Sequence, residues 1–322
     1  MQKNPTVMLH TDNPMSARDA IEAAHPDLSL LTCDSYSALP DMIEHHRPEV
    51  IFSVRFAGTP EFPSDAIIQS TTVRWVSVGG SGTDHLGTWD PAHLTVTNAA
   101  GVASDMMAEY TLGAMLHFSL DFDGFNKAKT ARMWQAGSVT PIAGQRVLIL
   151  GLGHTGVAVA ARCKAMGLHV TGVRAHPAPT DAVDDVCAVS ALPDLWEKAD
   201  FVVICVPLLD STRGMVDASA IKAMKPGAVV IDVSRGGVCD QIALAGALKQ
   251  GHLKGAALDV FEVEPLPKDS PFWDLENVIV TPHCASVYEG WEMNSVAMFC
   301  ENLTRYRNGK PLRNTVNPTR GY

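Results

Sequence analysis

One stretch limits this chain more than any other: Val147-Leu-Ile-Leu-Gly151-Leu-Gly153-His154-Thr155-Gly156, followed by a helical run from Val157 to Met166. The apolar residues before Gly151 predict a buried strand, and a second strand is predicted behind the helix at Leu168–Val173. Gly151 permits a tight turn, Gly153 lets the backbone approach a phosphate, and Gly156 lets helix and strand pack closely. The helix N-terminus then offers unpaired N–H groups and the positive end of its dipole to an anion. Glycines spaced this way are common in turns, and the flanking strand, helix and strand are what turn the loop into a dinucleotide-binding signal. We therefore assign Gly151, Gly153, His154, Thr155 and Gly156 to a cofactor pyrophosphate.

The rhythm of short apolar runs and helical segments extends in both directions. Strands are predicted at Thr6–His10, Leu28–Thr32, Glu49–Arg55, Val73–Val78 and Leu94–Thr97, with helices at Met15–Ala24, Tyr36–His46 and Ser64–Ser70. A long helix is predicted over Ser104–Phe118, with Met107, Tyr110, Leu112, Met115 and Phe118 near one face. Beyond it, strands are predicted at Arg146–Leu150, Leu168–Val173, Phe201–Val206, Ala228–Val233, Ala256–Val260 and Val278–Thr281. Alternation at this spacing predicts βαβ units and parallel sheets. The fold class is α/β: a Rossmann-type doubly wound parallel sheet plus a flavodoxin-like α/β domain. The first domain spans residues 1–100 and is completed by 291–322, which carry a final helix from about Tyr288 to Asn308; the dinucleotide domain spans 101–290.

Bulk properties agree with two globular domains. The 322 residues are 46% hydrophobic, 19% charged and carry a formal net charge of -10, which disfavours a sequence-independent nucleic-acid binder. Seven cysteines stand singly with no CxxC pair, as expected of reduced thiols. No apolar run is long enough to span a bilayer, the N-terminal residues lack a signal-peptide core, and the expectation is a cytoplasmic protein. The histidines lack metal-ligand spacing, so no metal is expected.

The end of the strand after the glycine loop reads Val173-Arg174-Ala-His176. An arginine cannot accept hydrogen bonds from ribose hydroxyls but pairs well with a 2′-phosphate. NADP(H) is therefore preferred, with His176 as a helper. An exposed loop arginine, with NAD(H) as cofactor, is the alternative.

Three charged residues follow three successive strands of the second series: Arg235 in IDVSRGG, Glu264 in LDVFEVEP and His283 in VTPHCAS. Taken singly they read as a surface cation, a loop carboxylate and a core histidine. In this order behind GLGHTG, and with GSGTDHL, MAEYTLGAML, CVPLLDSTRGMVD and the closing Gly321-Tyr322, they give a chain that resembles the D-isomer-specific 2-hydroxyacid dehydrogenases. The resemblance covers nearly the whole chain and is nearest in character to the glyoxylate/hydroxypyruvate reductase branch.

What it implies fits the chemistry. Reducing a 2-keto acid leaves an alkoxide that a histidine can protonate, a carboxylate beside it orients the imidazole, and an arginine grips the substrate carboxylate. Arg235, Glu264 and His283 take these roles. Pro207, Thr212 and Asp259 are implied as further cofactor contacts. Ser81 and Gly82 are implied for the substrate carboxylate, in a glycine turn consistent with an anion-binding nest, and Arg55 is a candidate to add charge. Trp134 resembles a tryptophan that reaches a neighbouring subunit's pocket, and the family pattern implies a homodimer and a hinged cleft between domains.

Some positions depart from the pattern: His154 stands in place of arginine, Asp232 in place of asparagine, and Asp121-Phe122 in place of basic residues. Cys284 is set aside as a nucleophile, because neighbours on an extended chain point to opposite faces. The expected activity is NADP(H)-dependent reduction of a small 2-keto acid to the D-2-hydroxy acid. The alternatives are a dinucleotide-sensing corepressor-like protein, or a phosphite or other 2-hydroxyacid dehydrogenase. Formate dehydrogenase is disfavoured, because that branch carries Gln where Glu264 stands.

Overall fold

The structure is a computed structural model that describes residues 4–56, 59 and 61–318. Gly321-Tyr322 lie outside the described residues. The chain divides into two compact units, one formed by the residues up to Val102 together with those from Tyr288 onward, the other by Ala103–Val287.

In the first unit, β1 (Val7–His10), β2 (Leu30–Cys33), β3 (Val50–Ser53), β4 (Trp75–Val78) and β5 (Thr95–Asn98) form a parallel sheet ordered β2-β1-β3-β4-β5. This is the flavodoxin-like order. Alternate residues serve opposite faces. Met8, Ile51, Val76 and Val96 pack into one core, and Val7, Leu9, Val50, Phe52 and Trp75 into the other. Helices α1 (Pro14–Ala24), α2 (Leu39–His46) and α3 (Ser64–Ile68) connect the early strands.

The last helix of the chain, here labelled αC (Trp291–Arg307), packs on the second of these cores through Val296, Phe299 and Leu303. Its end is pinned by Arg307, 5% exposed, whose Nη1 donates to Asp27 Oδ1 at 3.0 Å while Nη2 meets Oδ2 of the same carboxylate. That guanidinium holds the Asp27 carboxyl below its ordinary value.

In the second unit, β6 (Arg146–Leu150), β7 (His169–Val173), β8 (Asp185–Cys187), β9 (Phe201–Ile204), β10 (Val229–Asp232), β11 (Gly255–Leu258) and β12 (Val278–Val280) are all parallel and ordered β12-β11-β10-β9-β6-β7-β8. This is the doubly wound dinucleotide-binding order with a further strand at one edge. The central strands are apolar on both faces, as parallel strands covered by helices must be. Leu148, Leu150, Val202, Ile204 and Val230 face one core and Val147, Ile149, Phe201, Val203 and Ile231 the other. Each such side chain stabilises the fold by roughly 1.5–3 kcal/mol. Helices α6 (His154–Ala165), α7 (Ala218–Ala223) and α8 (Gln241–Lys249) link strands, with Asp217 and Asp240 capping α7 and α8 through their carboxylates.

The α/β expectation holds in both sheets, with three local differences. A seventh strand, β8, joins the six expected. A helix absent from the sequence reading, α5 (Phe122–Thr130), follows α4 (Ser104–Ser119). The most buried face of α4 is made by Ala108, Thr111, Ala114, Met115 and Phe118, and Met107, Tyr110 and Leu112 are only partly covered. Ala108, Thr111 and Ala114 on this face are small, and α4 packs directly against α6. No helix among the described residues is long and apolar enough to cross a membrane.

Candidate active site

In a parallel sheet every strand ends on the same edge, and the doubly wound order makes that edge the ligand side. The cofactor and catalytic segments named from the sequence follow such ends in the second unit: the glycine loop after β6, Arg174 after β7, Pro207 after β9, Arg235 after β10, Asp259 and Glu264 after β11, and His283 after β12.

The glycine loop has the tight turn and the close helix–strand approach that its spacing predicts. Gly151 has a left-handed backbone (φ 96°), and a Cβ there would press on the Cys205 carbonyl. A Cβ on Gly156 would overlap the carbonyl oxygen of Gly151. A Cβ on Gly153 would meet no atom of the chain within 4 Å, so open space lies beside the backbone there. Gly153 is also the N-cap of α6, which has no side-chain cap and no acidic residue in its first turn. Uncapped N–H groups at an open helix start fit a bound pyrophosphate. His154 is exposed, and the Thr155 hydroxyl contacts Met107 Sδ at 3.6 Å. Arg174 is half-buried, with its backbone N–H tied to Cys187, and His176 is exposed.

The Thr212 hydroxyl is bonded within its own loop. Thr212 is 7% exposed, its hydroxyl donates to the Pro207 carbonyl at 2.6 Å and accepts from Leu209 N at 2.8 Å. That proton is committed inside the loop, so Thr212 shapes the turn that carries exposed Pro207.

The three charged residues meet. Glu264 Oε2 accepts from His283 Nδ1 at 2.8 Å, and Oε1 accepts from the Phe261 amide at 3.0 Å. Arg235 Nη1 lies 3.5 Å from His283 Nε2 and donates to the Ser234 carbonyl at 2.7 Å. Burial pushes the Glu264 carboxyl up, but the hydrogen bonds from His283 and Phe261 outweigh it and hold the group below its ordinary value. Glu264 is thus an acceptor only, so Nδ1 carries the hydrogen and Nε2 is the ring atom left for chemistry. Side-chain exposures of 29% for His283 and 31% for Glu264 leave the pair reachable. Gly236, next to Arg235, holds the two loops together, since a Cβ there would overlap the Phe261 carbonyl.

Asp259, implied above as a cofactor contact, also supports the three charged residues, together with residues that were not singled out from the sequence. Asp259 is 2% exposed; Oδ1 accepts from Thr281 Oγ1 at 2.7 Å and Cys284 N at 2.8 Å, and Oδ2 from Ala285 N at 3.0 Å. It ties the end of β11 to the loop holding His283, and burial raises its carboxyl. Thr281 in turn meets the Tyr110 hydroxyl of α4 at 2.9 Å. His283 has a left-handed backbone (φ 52°), so the chain there is not extended and the opposite-faces argument about Cys284 does not apply. Cys284 stays outside the chemistry for another reason: burial and the Asp259 charge push its thiol up, and both His283 ring nitrogens face other partners.

In the first unit, Arg55 is exposed two residues beyond β3. Ser81 is exposed, with its carbonyl accepting from Asn98 Nδ2 at 2.6 Å, and Gly82 is half-buried. None of Gly79, Gly80 or Gly82 has a left-handed backbone, so this turn is not the alternating nest its glycines suggested. Trp134 is 104% exposed.

Residues 112–285 match the profile of the D-isomer specific 2-hydroxyacid dehydrogenase, NAD binding domain. The chain belongs to this family. A glyoxylate reductase of Korarchaeum cryptofilum is 33% identical over 70% of this chain and 69% of its own length. A D-3-phosphoglycerate dehydrogenase of Mycobacterium leprae is 36% identical over 59% of this chain, and the match spans only 36% of that longer protein. Among solved structures, a D-isomer specific 2-hydroxyacid dehydrogenase of Xanthobacter autotrophicus, in complex with NADPH and MES, superposes with a TM-score of 0.86 at 31% identity, covering 99% of this chain and 100% of that one.

Proposed function

We propose that this chain reduces a small 2-keto acid, glyoxylate or hydroxypyruvate first, to the D-2-hydroxy acid, with NADP(H) preferred over NAD(H). The observation that carries the reading is the Glu264–His283 hydrogen bond of 2.8 Å with Arg235 beside the other ring nitrogen. The relatives' own names supply the substrate class, glyoxylate reductase among them.

Gly151, Gly153 and Gly156 would hold the pyrophosphate at the start of α6, with Arg174 at the 2′-phosphate and Pro207 and Asp259 bordering the rest. When bound, the nicotinamide ring supplies the hydride that the keto carbon gains. Arg235 binds the substrate carboxylate and draws electron density from the keto oxygen. His283 holds at Nε2 the proton that this oxygen takes up, and Glu264 keeps Nδ1 protonated and the ring oriented. Ser81, Gly82 and Arg55 of the first unit are assigned to the substrate carboxylate. Asp121, the N-cap of α5, begins a segment in which Phe122, Phe125, Met133 and Trp134 are all exposed. A homodimer that covers them accounts for this apolar surface.

The cofactor preference rests on Arg174. Replacing it in Arg174→Asp removes a charge-assisted pair and sets a carboxylate against the phosphate. The expected result is an NADPH KM raised by about tenfold to a hundredfold, with NADH use retained or improved. Steady-state rates with both cofactors check it, and an unchanged preference ratio refutes the assignment.

A further inference from the structure

Asp232 closes β10 three residues ahead of Arg235 and is 1% exposed. Its Oδ1 accepts from Ser234 N at 2.9 Å and from Ser234 Oγ at 2.6 Å, which closes the turn leading to Arg235. The Ser234 carbonyl then receives the Arg235 guanidinium at 2.7 Å. The carboxyl, the turn and the guanidinium therefore form one connected chain. Its Oδ2 is buried with no hydrogen-bond partner among the described residues.

Asp259, on the neighbouring strand end, shows the contrast: it is also buried, but three donors serve its two oxygens. A carboxylate has about four acceptor sites to fill, and a buried one left half-served costs far more than the neutral acid. The titratable groups around Asp232 come from every neighbouring element: Asp259 after β11, Arg235 in its own loop, Cys205 after β9, Cys239 ahead of α8, and Tyr110 on α4. Burial pushes both thiols and the Tyr110 hydroxyl up, so these three are neutral at ordinary pH. Arg235 is the only cation of the set, and Asp259 opposes its effect.

We propose that Asp232 is a positioning residue carried in its protonated form, which shapes the turn presenting Arg235 without drawing on that guanidinium's charge, so that loss of the proton weakens the grip on a substrate carboxylate. The inference rests on the reading of Arg235 as the group that binds that carboxylate. Burial raises this acid from 3.8 to about 7, which puts the change inside the range where an enzyme is assayed.

Asp232→Asn keeps the shape and removes the ionisation. Because the folded protein holds a proton that the unfolded chain has released, the contribution of Asp232 to wild-type stability falls as pH rises from about 4 to about 7 and is level beyond. The unfolding midpoint of D232N minus that of the wild type therefore grows across that window and then stays constant. With glyoxylate and NADPH, the ratio of wild-type KM to D232N KM rises about tenfold from about pH 6 to about pH 8.5, and pH effects common to both proteins cancel.

Should D232N not fold, the wild type alone decides: its infrared spectrum shows a protonated carboxyl band below neutral pH that bleaches as pH passes about 7. Absence of that band, or a midpoint difference that does not vary with pH, overturns the proposal. A varying midpoint with a flat KM ratio overturns the link to Arg235. If the wild type reduces no keto acid, the proposed function falls, and the unfolding and infrared results still decide the state of Asp232.

Discussion

His283→Gln is expected to lower kcat for keto-acid reduction by about a hundredfold to ten-thousandfold while NADPH binding stays intact. The size follows from general-acid catalysis, in which a positioned donor contributes about 10²–10⁴ in rate. The structure says why glutamine cannot substitute. Nδ1 of His283 is held by Glu264 at 2.8 Å, so the ring offers Nε2 alone to the reacting oxygen, and an amide has no proton to give there at neutral pH. NADPH binding, followed by its fluorescence, reports on the proposed cofactor contacts, the glycine loop after β6 and Arg174, neither of which touches His283 in the contacts described. A kcat within threefold of the wild type would show that the proton comes from elsewhere.

The second large effect is at Arg235. Arg235→Lys keeps a positive charge but loses the planar fork that serves a carboxylate and a carbonyl together. Its Nη1 is already committed to the Ser234 carbonyl at 2.7 Å, which sets the plane of the guanidinium. The expected loss in kcat/KM is about 10²–10³, split between a higher KM, from the weaker carboxylate grip, and a lower kcat, from the unpolarised carbonyl. Arg235→Ala should lose at least as much. Initial rates over a range of keto-acid concentrations separate the two parts. A lysine variant that changes neither constant would remove Arg235 from substrate binding.

Much of this was legible in the sequence because it is written in residues that have few alternatives. Gly151 and Gly156 sit where backbone conformation or a carbonyl oxygen leaves no room for a side chain, and central strands such as Phe201–Ile204 are apolar throughout because both faces are covered. What escaped was written in weaker terms. The strand β8 is three residues long and partly exposed, with no apolar run to announce it. The helix α5 buries none of its residues, so it has no apolar stripe facing a core.

In the site, the charged residues stood out and their supports did not. Ser234, Thr281 and Tyr110 are uncharged, lie far apart in sequence, and acquire a role only when β10, β12 and α4 bring them beside Asp232, Asp259 and each other. The left-handed backbone at His283 is another feature that residue type alone does not signal, since non-glycine residues adopt it rarely. The turn at Gly79–Gly82 is the converse case: its glycines suggested a nest that its backbone does not form.

The account is tested most directly by the steady-state oxidation of NADPH and of NADH by the purified protein against a panel of 2-keto acids that includes glyoxylate and hydroxypyruvate. It predicts turnover of at least one small 2-keto acid, faster at low cofactor concentration with NADPH than with NADH. Binding of NADPH without turnover of any member would contradict it, and would leave a dinucleotide-binding protein in place of an enzyme.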